Sequence, residues 1–206
     1  MSRAGDVVEN PVTGERAVVR VGSEETNGER LVCDLYVRPG GRVAGAHVHK
    51  TLSERFEVVS GTLAYSLDGR EAVARPGEKI EVAPGRVHDW WNGGDDELHA
   101  IVEVWPCERF EQVIQTTFGL AVEGRVNARG MPSLLQLAVI GQEFADVVTF
   151  MQPPPWAQRV LFGILAPIGR RRGLRAVYPH HRALMEERSA AARAAMAAPP
   201  SPVSRA

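Results

Sequence analysis

Residues 41–61 read GRVAGAHVHKTLSERFEVVSG, and residues 77–92 read GEKIEVAPGRVHDWWN. Both join short β-branched and aromatic runs to Gly or Pro-Gly turns, the pattern of strands rather than helices. Side chains alternate faces along a strand, so His47 and His49, two apart, point the same way. Glu54 follows a four-residue turn and can return a carboxylate to the same point, while His88 sits inside the second strand. Three imidazoles and one carboxylate form a borderline donor set suited to one divalent transition metal: Fe, Mn, Ni, Co or Zn. Four protein donors on an octahedral ion leave two positions for substrate, water or dioxygen. A β core has no structural need to gather these groups, and a buried carboxylate without a partner is costly.

Working outward, Ala17 to about Pro106 reads as an all-β stretch. Runs at Ala17–Val21, Leu31–Val37, Ala46–His49, Glu54–Ser60, Thr62–Leu67, Glu71–Ala74, Lys79–Val82, Val87–Trp91 and Leu98–Val104 are mostly bounded by Gly, Pro, Asp or Asn. This spacing predicts a sandwich or barrel. Asp68-Gly69 predicts a two-residue hairpin turn, because a type I′ turn needs positive φ at both positions. Beyond Pro106 the period becomes helical. Phe110, Val113, Ile114 and Phe118 mark one helix; residues 133–152 predict a second, ended by Pro153-Pro154-Pro155; a third starts near Trp156 and ends at Arg170-Arg171-Arg172-Gly173. Pro167 is expected to kink or shorten it. The chain thus divides into a β domain over 1–106, a helical extension over 107–186, and a tail over 187–206 whose low apolar content predicts disorder.

The two motifs carry a resemblance. Gly41, five residues, His47, one residue, His49, four residues, Glu54, six residues and Gly61 resemble the first motif of the cupin superfamily at every fixed position. Gly77, five residues, Ala83-Pro84-Gly85, two residues, His88, three residues and Asn92 are similar to the second, with Ala83 where that family usually has Pro. The resemblance implies a small β-barrel or jelly roll of the cupin type 2-like, single-domain form, here followed by C-terminal helices. It implies His47, His49, Glu54 and His88 as metal ligands and a homodimer as the assembly.

Neighbouring residues carry weaker signals. Phe56 and Val58 share the Glu54 face and Trp90 shares the His88 face, which makes these three the candidate substrate walls. Along residues 98–105, LHAIVEVW, an apolar-inward strand leaves His99 and Glu103 outside; the reverse orientation makes them acid/base candidates. His180-His181 reads as surface. Cys33 and Cys107 lack metal-type spacing and read as reduced, buried thiols. With 24 basic and 25 acidic residues the chain carries no global positive field, which argues against nucleic-acid binding. The first residues contain no apolar signal segment and the longest uncharged run is about half a membrane span, so a cytoplasmic protein is the expectation. Residues 134–151 and 156–168 are too apolar to be left in water. Packing on the barrel or a dimer is the first reading for them; membrane-surface contact, suggested by Trp156 and the three arginines, is the lesser one.

Three functions fit the ligand set. The leading one is an Fe(II)-type dioxygenase acting on a small organic molecule, with Glu54 both ligand and proton acceptor. The alternatives are a non-redox metal-dependent isomerase, lyase or cyclase, and a non-catalytic small-ligand-binding module. Sequence alone does not choose among them, because fold does not dictate function.

Overall fold

The computed structural model describes residues 2–43 and 45–197. Eleven strands form two antiparallel sheets. One holds, in spatial order, β1 (Val7–Asn10), β2 (Glu15–Val21), β3 (Leu31–Val37), β10 (Leu98–Trp105), β5 (Ser53–Ser60) and β8 (Lys79–Val82). The other runs β11 (Thr149–Phe150), β4 (His47–Val48), β9 (Val87–Asn92), β6 (Leu63–Leu67) and β7 (Arg70–Ala74). The two sheets face one another as the expected jelly roll followed by C-terminal helices, with no continuous ladder joining them among the described residues. Inward residues of both sheets interdigitate: Leu35, Phe56, Val58 and Val102 from the first meet Leu63, Ala74 and Trp90 from the second in one core. Alternation places them there, as in β3, where every second residue is buried.

The hairpin turn forms as its dipeptide requires, with φ of 50° at Asp68 and 79° at Gly69. Gly61 also has a steric role. Its φ is +80°, and a Cβ there would lie 2.9 Å from Leu98 Cα and 3.0 Å from the Glu97 carbonyl oxygen, both backbone atoms. Asn92, the last residue of the second motif, is buried. Its amide donates to the carbonyls of Val37 and Asp96, at 2.8 Å each, and its oxygen accepts from Gly94 N at 2.9 Å.

Four helices follow: α1 (Glu108–Val122), α2 (Leu134–Glu143), α3 (Pro155–Arg171) and α4 (Pro179–Ala197). Ser133 caps α2, its hydroxyl accepting from Gln136 N at 3.3 Å. The expected second helix over 133–152 is cut short at Glu143, because Thr149 and Phe150 pair with Val48 and His47 as β11. Pro167 does not shorten α3, which continues to Arg171.

The expected tail from 187 needs correction as far as 197, where α4 continues; 198–206 lie outside the described residues. Alanine is the best helix former, and polar anchors replace the missing apolar mass. Ser189 Oγ accepts from Val7 N at 2.8 Å, and Arg193 pairs with Asp6 at 2.9 Å, tying α4 to β1. Strand β1 was not read from the sequence, its four residues being too short to stand out.

Replacing Gly61 by Ala forces a Cβ onto the backbone of residues 97–98 at positive φ. We expect a loss of about 2–3 kcal/mol in chemical denaturation; an unchanged midpoint would remove the steric role given to this glycine.

Candidate metal centre

Local pairing assembles the centre. His47 and His88 are direct cross-strand partners on β4 and β9, so their side chains emerge side by side on the inner face. His49 follows two residues on, and its carbonyl accepts from Gly85 N at 2.7 Å, which fixes the Pro-Gly turn beside it. Glu54 comes from β5 in the opposite sheet, so the cluster bridges the two layers. The ring centroids of His47 and His88 are 4.2 Å apart and those of His47 and His49 4.9 Å. One donor atom from each of the four residues falls within 4.8 Å of every other. All four side chains are buried.

The hydrogen bonds select the tautomers. His47 Nδ1 is 2.8 Å from the Gly45 carbonyl, His49 Nδ1 2.8 Å from the Val147 carbonyl and His88 Nδ1 3.2 Å from the Arg86 carbonyl. A carbonyl can only accept, so each Nδ1 carries the proton and donates it. For the neutral rings of His47 and His49 this leaves the Nε2 lone pair free towards the cluster, whereas His88 shares an Nε2 proton with Glu54 that a bound metal would replace. His88 Nε2 lies 2.8 Å from Glu54 Oε2. His49 Nε2, 3.7 Å from Glu54 Oε1, is buried with no hydrogen-bond partner. Such an orphaned lone pair beside a buried carboxylate is the arrangement a divalent cation completes.

Electrostatics point the same way. Burial, helped by the neighbouring imidazoles of His88 and His49, drives His47 down to about 3, and burial also lowers His49. Both are therefore neutral at physiological pH. Burial alone would raise Glu54, but the His88 hydrogen bond and the surrounding imidazoles outweigh it and hold the carboxyl below its ordinary value. Burial would lower His88, and its bond to Glu54 reverses the direction. The cluster thus fits a divalent metal site, with these four residues as its donors.

A cavity of about 160 Å³ adjoins His47 and Glu54. Phe56 and Trp90 line it, their rings 6.0 Å apart. Val58 does not: it is fully buried in the core further along β5. A second cavity of about 120 Å³ touches His47 and His49, and the two share Glu15, Val43, His47, Phe110, Ile114 and Phe118. Helix α1 therefore closes the open end of the sandwich with its apolar face. A cleft of about 500 Å³ between α2, α3 and the β4 edge is lined by none of the four donors.

Two contributors escaped the sequence reading. Val147 supplies only a backbone carbonyl, to which residue type gives no clue. Glu15 on β2 is buried against the shared cavity space, with Thr13 Oγ1 donating to its carboxylate. Burial pushes it up to about 7, the Thr13 hydrogen bond opposing only part of the shift. The periodicity of β2 gave the signal, had the two faces been assigned.

Other candidates fall elsewhere. Ala100, Val102 and Val104 point inward, so His99 and Glu103 lie on the outer side: His99 stacks on Tyr36 and bonds Asp34 at 2.6 Å, and Glu103 pairs with Arg30 and Arg55. Cys33 and Cys107 are buried, Cys107 Sγ donating to the Gly28 carbonyl at 3.3 Å, and burial raises the Cys33 thiol to about 12. The surface reading of His180-His181 holds for His180 alone. His181 is buried at the start of α4, and both rings reach Glu123 Oε1, at 2.7 and 3.3 Å, while Arg125 takes the other oxygen at 3.0 Å. This network clamps α4 to the end of α1.

A family model described as "Cupin domain" matches residues 34–105. A comparison with curated proteins gives no significant match. Among solved structures, a predicted oxalate decarboxylase of Thermotoga maritima is similar at 18% identity and a TM-score of 0.43, over 51% of this chain and 97% of that one. A sugar phosphate isomerase from a cupin superfamily, of Silicibacter pomeroyi, gives 20%, 0.41, 46% and 60% in the same terms. KdgF from Halomonas sp. gives 13%, 0.44, 50% and 91%. With both motifs in place on the facing sheets of a jelly roll and the family model spanning them, the chain carries a cupin-type domain over residues 34–105.

Proposed function

We propose that this protein is a metal-dependent enzyme of the dioxygenase type acting on a small, largely apolar or aromatic molecule. One observation carries the reading: a cluster of four donors, which on an octahedral ion would leave two positions open, lies directly against an apolar cavity walled by Phe56, Trp90 and Phe110. A bound Fe(II) would supply Lewis acidity and access to dioxygen chemistry. His47, His49, Glu54 and His88 would hold it. Phe56 and Trp90 orient a flat apolar substrate, and the closure by α1 excludes water. Glu54, kept ionised by its imidazole neighbours, accepts the proton of an incoming substrate hydroxyl.

A second reading, a non-redox isomerase or lyase, is favoured by Glu15. A buried carboxyl poised near neutrality on the wall of the same cavity is suited to give or take a proton at a substrate enolate.

The deciding experiment is elemental analysis, with oxygen uptake after anaerobic Fe(II) loading over a panel of small phenolic and enolic compounds. Near-stoichiometric metal with substrate-dependent uptake is expected, and His88→Ala should lose both while keeping a β-rich circular dichroism spectrum. Metal without uptake, or full turnover with Zn(II), would transfer the assignment to the second reading.

Glu15 sets a separate pH dependence. Its folded value, about 7, lies above that of the unfolded chain, so the fold prefers the protonated form. Its contribution is complete below the unfolded value, around 4.3, and is lost as pH rises to about 7. Glu15→Gln stays neutral throughout. It should match the wild type near pH 4.5 and be more stable by about 2–3 kcal/mol at pH 8; parallel stability curves would show that Glu15 is not held protonated by the fold.

A further inference from the structure

Helix α3 is apolar on two opposite sides. Phe162 and Ala166 pack with Ala138 and Val139 of α2 in a small core of their own. The other side faces solvent, and it is not polar. Trp156, Val160, Ile164 and Ile168 recur every fourth residue along it and are 72%, 62%, 60% and 37% exposed. Gly163 and Pro167, both exposed, lie between them. A helix whose water-facing side carries such a stripe has an unfilled partner position.

Charge identifies the partner. Arg171 and Arg172, both exposed, end the stripe. Neither Arg171 nor Arg172 has an ion-pair partner among the described residues, whereas Arg170, on the α2 side, binds Gln142 and approaches Glu143 at 3.8 Å. No carboxylate occupies the 17 residues of α3, so the outer face is apolar and purely cationic. Area argues against a second copy as the occupant. A helix of this length spans about 25 Å, and four side chains offer only a few hundred Å², short of the roughly 800 Å² per partner of a stable dimer. Spanning is excluded too: no helix among the described residues is long and apolar enough to cross a membrane. Lying in the interface needs only this face.

We propose that the outer face of α3 seats in the surface of an anionic lipid bilayer, with Trp156, Val160, Ile164 and Ile168 at the boundary of acyl chains and headgroups and Arg171 and Arg172 against lipid phosphates. The aromatic ring at one end and the arginines at the other set the helix parallel to the surface. None of the stripe residues lines the cavities beside the four metal donors, so the inference stands apart from the proposed chemistry.

The test is flotation of the full chain with vesicles of phosphatidylcholine alone and of phosphatidylcholine with about one third phosphatidylglycerol, at low and high salt, with oligomeric state followed by light scattering. Binding to the anionic vesicles is expected, weaker by at least tenfold on the neutral ones and weakened by salt. Ile164→Glu should lower it by about tenfold or more, and Arg171→Glu should lower it about fivefold or more on anionic vesicles alone. Both positions are exposed, so metal content and circular dichroism should match the wild type. Trp156→Ser serves in place of Ile164→Glu if that variant misfolds. No flotation of the wild type, equal binding to both compositions, or a dimer that Ile164→Glu dissociates without vesicle binding would each overturn the proposal.

Discussion

The constraint on which the structure turns is the desolvation of three imidazoles and a carboxylate at one point between two sheets. Burying an ionised carboxylate costs several kcal/mol unless positive charge or donors answer it. Here the answer is partial: His88 reaches Glu54, while His49 Nε2 meets nothing. Much of the surrounding geometry serves to hold these groups where a cation completes them. The His47–His88 register sets two rings side by side, the turn at Gly85 is tied to His49, and three backbone carbonyls orient the three rings. A cavity opening on such a site can be apolar, because its polarity is concentrated in the donors themselves.

The β half was legible because its signals are local. Alternation put Phe56 and Val58 on the Glu54 face of β5, and the Asp68-Gly69 pair announced its turn through the φ values only such residues tolerate. The four donors were legible because motif spacing on strands maps directly onto faces. What remained hidden depends on tertiary placement. Residues 144–150 have mixed periodicity and read as the end of a helix, yet Thr149 and Phe150 pair with β4 because an open edge lies beside them. Helix α4 has little apolar mass, and polar contacts such as those of Ser189, Arg188 and Arg193 with β1 and the residue before it, made from nearly the other end of the chain, hold it there. Val58 shares a face with Phe56, but a face runs the length of a strand while the cavity touches only part of it. The buried Glu15 required knowing which side of β2 faces the interior.

The helical extension has two distinct relations to the rest. Helix α1 lends its apolar face to the cavity and α4 ties back to β1, so both complete the sandwich. Helix α3 touches α2 and turns its remaining surface away. An apolar surface kept out of the core, beside arginines without partners, is a different use of hydrophobicity from the one that folds the sandwich.

The bond from His49 Nδ1 to the Val147 carbonyl joins a ring of the metal centre to the segment that leads from α2 into β11. Thermodynamic reciprocity then applies: whatever free energy the ordered segment adds to the orientation of that ring, an ion bound by the ring returns to the ordering of the segment. The β half and the helical half are in this sense one linked system, and an ion filling the centre would be felt as rigidity more than ninety residues along the chain.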